Sequence, residues 1–514
     1  MSSSGDPAIS GASPGRANGD SELLRGLGLT SATMLVIGSM IGSGIFIVSA
    51  DIARTVGSPA LLILAWVVTG FLTIAAALSY GELAAMMPHA GGQYVYLREA
   101  LGPLWGFLYG WTLFLVIQTG TIAAVGVAFG KFLGVLFPAI SAKHWIWYIG
   151  KVPAIPFGPM VLGNMEVGLN SQNLVAIVVV VLLSVVNIFG VRTGAMVQNL
   201  FTFAKSAALF GLVLLGVFVG RNAEAVAANF GSFWGRSGSG VSLGESGLLA
   251  VVTAVAVAQV GSLFSADAWN NVTFTAGEVK NPQRNLPLSL GLGTGLVIAL
   301  YIAVNFVYLS VLPLWGDPNG ATAMARGIQY AADDRVATAV LDVMFGAKGA
   351  GLMAVAIMVS TFGCVNGLIL AGARVYYAMA KDGLFFRGAG RLHPKYRTPA
   401  VALMVQMAWT CLLALSGSYG QLLDYIIFAV LLFYVLTIAG LFVLRRKRPE
   451  APRPYRAIGY PVLPAIYIVA ALVIDLILLR YKPQYTWPGL IIVLLGIPVY
   501  FLKVGRSRMS GVTG

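Results

Sequence analysis

The sequence predicts an all-α polytopic membrane protein with twelve transmembrane helices. Three observations lead there. The 514 residues are 58% hydrophobic and only 10% charged, whereas soluble domains carry roughly 25% charged residues. Apolar runs of roughly 18 residues or more, long enough to cross a bilayer, recur along the whole chain. These runs lack the strand-length alternation of a membrane β-barrel.

The spans are read at 31–54, 60–86, 102–134, 171–190, 198–220, 250–275, 286–312, 350–379, 399–416, 421–444, 460–480 and 486–503. Trp145, Trp147 and Tyr148 follow the third span, where interfacial aromatic residues are expected. The polar stretch from Asp317 to Lys348 is expected to form an outer loop with short helices, one of them amphipathic over Ala337–Phe345. With the N-terminus inside, the cytoplasmic loops and tails hold about 21 basic residues against about nine outside, which puts both termini in the cytoplasm. Residues 1–25 are rich in Ser, Gly, Pro and Asn, lack the apolar core of a signal peptide, and read as a disordered tail.

Spans one and six are each interrupted near the middle, and each is followed by four further spans. Five is odd, so the second set enters the membrane from the opposite side, the inverted-repeat arrangement of many transporters. The expected units are a first repeat at 26–225, an inverted second repeat at 245–445, two additional helices at 446–503 and a cytoplasmic tail at 504–514.

The interruptions carry the chemistry. The first reads Gly38-Ser-Met-Ile-Gly-Ser-Gly44. Gly38 and Gly42 have the spacing of close helix packing, but packing alone does not call for Ser39, Ser43 and Gly44 as well. Unwinding there frees backbone groups that only protein, water or a ligand can satisfy. The N–H groups of Gly42, Ser43 and Gly44 would open a second half-helix and suit a carboxylate. The carbonyls of Met40 and Ile41 would end the first half-helix and suit an ammonium group. One broken helix would thus read both ends of an α-amino acid.

The second interruption reads Phe264-Ser-Ala-Asp-Ala-Trp-Asn270, with Ser265, Asp267, Trp269 and Asn270 as its polar and aromatic members. Carbonyls of Phe264 and Asp267 would complete the ammonium site. Asp267 is an ionisable residue deep in a span and hence a functional candidate. It pairs the ammonium, binds a proton, or caps the lower half-helix. Phe264 and Trp269 either close over a side chain or pack.

Lys205 lies about eight residues, roughly 12 Å, inside the fifth span. It either snorkels to the interface or faces the bundle as a cation. Ser360 and Thr361 of span eight, with carbonyls of the first break, would hold sodium in a coupled carrier, and a lysine ammonium nearby takes the place of that ion. Glu82, Glu278 and Arg374 lie near the inner ends of spans two, six and eight as a possible inner gate. Asp475, near the outer end of span eleven, reads as peripheral.

Several classes are excluded. His89, His144 and His393 sit in loops far apart in sequence, and no catalytic constellation emerges, so the chain does not read as an enzyme. No phosphate-binding loop of the ATPase type is present, and no spacing of metal ligands surrounds the two cysteines, Cys364 and Cys411. No cofactor or metal is expected. The net charge of +14 resides in short loops rather than a basic domain, so nucleic acid is not a partner.

At Gly42-Ser-Gly-Ile-Phe46 the chain resembles the amino acid–polyamine–organocation transporter superfamily. The likeness continues through Ser79–Leu83, Pro88–Tyr96, Phe264–Asn270, Glu278–Pro287, Asn366 and Gly372–Met379, and covers nearly everything after residue 25. Within the superfamily it is most similar to the L-type amino acid transporters and their bacterial relatives. The resemblance implies a leucine-transporter-type 5+5 fold with two extra helices. It implies carboxylate binding at Gly42, Ser43 and Gly44, and ammonium contacts from the carbonyls of Met40, Ile41, Phe264 and Asp267. It makes Phe264 an outer-gate aromatic. It also favours a functional Lys205, because similar carriers have a lysine in span five near the sodium position and work without sodium.

Two departures matter. Eukaryotic L-type carriers join a glycoprotein heavy subunit through a cysteine after span three, and residues 135–170 contain none, so a disulfide-linked subunit is not expected. Asp267 also stands where the eukaryotic carriers often have Gly. The expected function is alternating-access, sodium-independent exchange of neutral L-amino acids in the cytoplasmic membrane, by a monomer or homo-oligomer. Proton-coupled uptake of neutral or cationic amino acids or polyamines is the alternative. A channel or a non-transporting sensor is the alternative of another class.

Overall fold

The computed structural model describes residues 23, 25–157, 160–162, 165–235, 247–416 and 419–510. Nearly all of the tail expected at 1–25 lies outside the described residues, as do residues 511–514 of the expected C-terminal tail. Residues 504–510 continue the last helix instead.

The first span is two helices, α1 (Leu29–Met40) and α2 (Gly44–Val56), parted by three non-helical residues. After Ser58, Pro59 sits in the first turn of α3 (Pro59–Met86), where its missing N–H costs nothing. The short α4 (Gln93–Leu101) precedes the third span, made of α5 (Pro103–Thr112), a π-helical turn at Leu113–Ile117 and α6 (Gln118–Leu136). Then come α7 (Ser171–Ile188), α8 (Val191–Phe218) and α9 (Ala223–Gly231). The side chain of Asn170 starts α7 by accepting the Asn173 N–H at 2.8 Å.

The second broken span comprises α10 (Gly247–Ser265) and α11 (Asn271–Phe274). It leads into α12 (Pro282–Val311), the short α13 (Ala323–Arg326) and α14 (Val336–Lys381). At Gly346 α14 bends sharply, with φ 64° and ψ −158°, a conformation open to glycine at little cost. The helix expected at Ala337–Phe345 is therefore the segment ahead of this bend. The chain ends with α15 (Ala400–Ser416), α16 (Tyr419–Lys447), α17 (Val462–Tyr481) and α18 (Pro483–Ser510).

Among the described residues, eleven helical segments are long and apolar enough to cross a membrane, and Ala400–Leu415 is a shorter twelfth. The protein is multi-pass, and twelve crossings return the chain to the face on which it began. That face is called here the terminal face. The broken helices sit at the centre: α2 packs along α10, α12 along α3 and α1, and α14 along α6 and α8.

One region departs from the sequence reading. The loop after the third span forms two antiparallel strand pairs, one nested in sequence within the other: β1 (Trp145–Val152) with β4 (Met165–Asn170), and β2 (Ile155–Phe157) with β3 (Met160–Leu162). Aromatic and β-branched residues such as Trp147, Tyr148 and Ile149 favour a pleated surface, and all three are exposed.

Candidate substrate site

The first break is a cage of satisfied carbonyls. Lys205 on α8 is fully buried, and its Nζ donates to Gly38 O at 2.5 Å, Ile41 O at 2.7 Å and Ser360 O at 3.3 Å. The ammonium therefore faces the bundle and does not snorkel. Ser360 Oγ reaches Ile41 O and Gly42 O, each at 3.2 Å. Cys364 Sγ contacts Ser39 O at 3.1 Å. Tyr301 on α12 bonds Met40 O at 3.0 Å. Thr361, grouped with Ser360 in the sequence reading, takes no part: its hydroxyl turns back to Ile357 O and Met358 O of its own helix.

These bonds revise the expected ammonium site. Met40 O already accepts from Tyr301 and the Gly42 N–H, and Ile41 O from Lys205 and Ser360, so both lone pairs of each oxygen are taken and a substrate ammonium would have to displace a protein donor. Gly42 N–H is likewise engaged, with Met40 O at 2.9 Å. The second half-helix opens at Gly44, with no side-chain cap. Glycine is needed there for closeness of approach. A Cβ on Gly44 would stand 2.7 Å from Ser265 Cβ and 2.9 Å from its Cα, and one on Gly42 would stand 3.1 Å from Cys364 Sγ.

The second break spans Ala266 to Asn270, and side chains hold it. Ala268 takes the left-handed φ of 64°, a costly conformation for a residue with a Cβ. The Asp267 carboxylate accepts a 2.5 Å hydrogen bond from Tyr434 of α16. The capping role considered for Asp267 is not seen, because α11 takes no side-chain cap. Trp269 is buried edge-on to Tyr80, ring centroids 4.8 Å apart, and 5.2 Å from the Tyr434 ring. Asn270 donates to Gln93 Oε1 at 2.9 Å, and Gln93 donates to Thr437 at 3.0 Å. Ser265 Oγ bonds Gly261 O on its own helix, while its carbonyl accepts from Tyr301 at 3.1 Å. Phe264 is buried beside the break.

Two small cavities, about 20 and 10 Å³, meet at Asp267, Val430 and Tyr434. The larger also touches Gln118, Asn270 and the π-turn residues Leu113 and Ile117. Holding one water takes about 10–15 Å³, so the site is closed around a water-sized space. Hydrogen-bonded layers cover it on both sides. On the terminal face Arg374 bonds Glu278 at 3.1 Å, with both side chains buried, and the N–H groups of Gly26 and Leu27 bond Glu278 O at 2.9 Å. On the opposite face Arg54 bonds Asp334 at 2.7 Å and Gln329 O at 2.6 Å.

Glu82 does not join the Glu278–Arg374 pair. It is held by Arg445 at 2.5 Å, Arg453 at 3.3 Å and the Ala457 N–H at 2.7 Å. Sequence gives the depth of a charge along a helix but not the neighbour it faces. Nearby, Glu99 pairs with Arg98 and Arg448. Partial burial pushes its carboxyl up, but the hydrogen bonds from Arg448 and Arg98 outweigh that and leave it below the usual value. Asp475 is buried, not peripheral, and neither carboxylate oxygen has a hydrogen-bond partner among the described residues.

Sequence reasoning missed Tyr301, Tyr434 and Gln93. Each is one hydroxyl or amide among several in its helix, and sequence does not tell which of them faces the site.

A family model described as amino acid permease matches residues 27–500. The chain is 30% identical over 484 residues to the serine/threonine exchanger SteT of Bacillus subtilis (strain 168), covering 94% of this chain and 97% of that one. It is 31% identical over 503 residues to the large neutral amino acids transporter small subunit 2 of Homo sapiens, covering 96% and 84%. It is 29% identical over 487 residues to the b(0,+)-type amino acid transporter 1 of Mus musculus, covering 94% and 88%.

Proposed function

The chain belongs to the amino acid permease family, and from that premise we propose that it exchanges neutral L-amino acids across the cytoplasmic membrane by alternating access, without sodium. It is a transporter and not an enzyme. The relatives named as exchangers and neutral amino acid carriers support the exchange reading.

The observation that carries sodium independence is Lys205. Its ammonium bonds Gly38 O and Ile41 O at the first break, among the hard oxygen donors a sodium ion would use. A resident cation there leaves a second one without acceptors and with repulsion to overcome. In the proposed binding mode the substrate carboxylate meets the N–H groups of Gly42, Ser43 and Gly44, and the ammonium meets the carbonyls of Met40, Ile41, Phe264 and Asp267. Both require the break to loosen from its closed form. Glu278 and Arg374 serve as the gate on the terminal face. The excess of basic residues in the loops of that face supports its assignment to the cytoplasm. The repeats are assigned to 26–225 and 245–445. No disulfide-linked subunit enters the proposal, since Cys364 and Cys411 both lie within helices.

Asp267 favours a second reading, proton-coupled uptake, because it is a buried carboxylate that accepts a hydrogen bond from a neutral phenol, Tyr434, with no cation bonded to it among the described residues. Radiolabelled uptake into proteoliposomes separates the readings. Exchange predicts uptake only into vesicles preloaded with amino acid, unchanged by sodium or a proton gradient. Uptake into empty vesicles driven by a proton gradient would replace exchange with symport, and stimulation by sodium would remove the role given to Lys205.

A further inference from the structure

The end of α16 and the loop into α17 hold six cations: Arg445, Arg446, Lys447, Arg448, Arg453 and Arg456. Four have partners in the protein. Arg445 and Arg453 hold Glu82, Arg448 holds Glu99, and Lys447 bonds Ala100 O at 3.2 Å. Arg446 and Arg456 are exposed and have no carboxylate partner among the described residues. Their neighbours in the chain meet at one carboxylate. Arg446 follows Arg445, Arg456 precedes Ala457, and both the Arg445 guanidinium and the Ala457 N–H bond the same Glu82 carboxylate. The one further acid of the loop, Glu450, leaves the cluster strongly positive.

An apolar strip begins at this patch. Ile458 and Val462 are 60% and 61% exposed, and the strip runs up α17 through Ile466 and Val469. Two unpaired guanidiniums above an exposed aliphatic track match an amphiphile with an anionic head. Guanidinium forks suit phosphate, and basic clusters at the end of a membrane helix attract anionic lipid.

We propose that Arg446 and Arg456 bind the headgroup of an anionic phospholipid whose acyl chains lie along Ile458, Val462, Ile466 and Val469. The site is separate from the transport path and does not depend on what is carried.

Native mass spectrometry of the full chain in detergent tests it, with phosphatidylglycerol or phosphatidylcholine of the same acyl chains as probes. Phosphatidylglycerol is expected to be retained and phosphatidylcholine lost. The R446Q/R456Q variant should lose retention by roughly 20- to 30-fold, since each basic residue near a membrane surface contributes about fivefold. R391Q, an exposed arginine in another loop of the same face, should retain lipid like the parent. Among the described residues neither Arg446 nor Arg456 bonds another side chain, so an unchanged melting temperature of the double variant in detergent shows that it folds. Equal retention of the two lipids, or unchanged retention in R446Q/R456Q, overturns the proposal.

Discussion

The two breaks occupy corresponding places in the chain but are built differently. At the first, three residues leave the helix and backbone carbonyls do most of the bonding, to Lys205, Ser360, Cys364 and Tyr301. At the second, five residues leave the helix, and the side chains of Asp267, Trp269 and Asn270 make the contacts. The first break is defined by what cannot be added, since a Cβ on Gly44 collides with Ser265 of the other break. The second is defined by what cannot be removed.

That contrast orders the effects of mutation. Gly44→Ala should have the largest, because the obstructing atoms include the Ser265 backbone. Over-packing costs about 1–3 kcal/mol, which is roughly 5- to 150-fold in substrate affinity. Equilibrium binding by scintillation proximity checks this, and an unchanged affinity would detach the glycines from the site. Lys205→Ala should come next. It strips the Lys205 donor from Gly38 O, while Ile41 O keeps the Ser360 hydroxyl, and a buried unsatisfied group costs about 1–3 kcal/mol. Exchange should fall by at least roughly fivefold, and a sodium titration of the residual uptake reports whether the ion can use the vacated position.

At the second break, Tyr434→Phe removes one hydrogen bond and leaves Asp267 without it. A loss of about 1–3 kcal/mol in stability is expected, read as a lower melting temperature, with a smaller effect on exchange than Lys205→Ala. The reverse order would mean that the second break, not the first, dominates the site. The smallest change should follow Ala268→Gly. Glycine relieves the left-handed strain but loses more entropy on folding, so stability should stay within about 1 kcal/mol of the parent by thermal melting.

The same contrast explains what the sequence disclosed. A break made of glycine and serine shows in composition, so Gly38–Gly44 and its partner stretch were legible, as were the twelve crossings. Depth was legible too, which is why Lys205 stood out. Direction was not. In a helix apolar all round, nothing indicates which face meets the site, so Tyr301 and Tyr434 passed unnoticed and Glu82 was grouped with the wrong arginine. Asp475 shows the same limit, since its position in span eleven did not reveal that it points inward. The strand pairs β1–β4 and β2–β3 were hidden because their aromatic residues also suit a membrane interface.

Tyr301 reaches across both breaks, with Met40 O at 3.0 Å and Ser265 O at 3.1 Å. A phenol carries a single hydrogen, so it cannot fully serve both oxygens at once. Each gain by one break is a loss to the other, and the two interruptions compete for one proton. A helix that belongs to neither interruption thereby makes their hydrogen bonding interdependent, and Tyr301→Phe would let each relax without reference to the other.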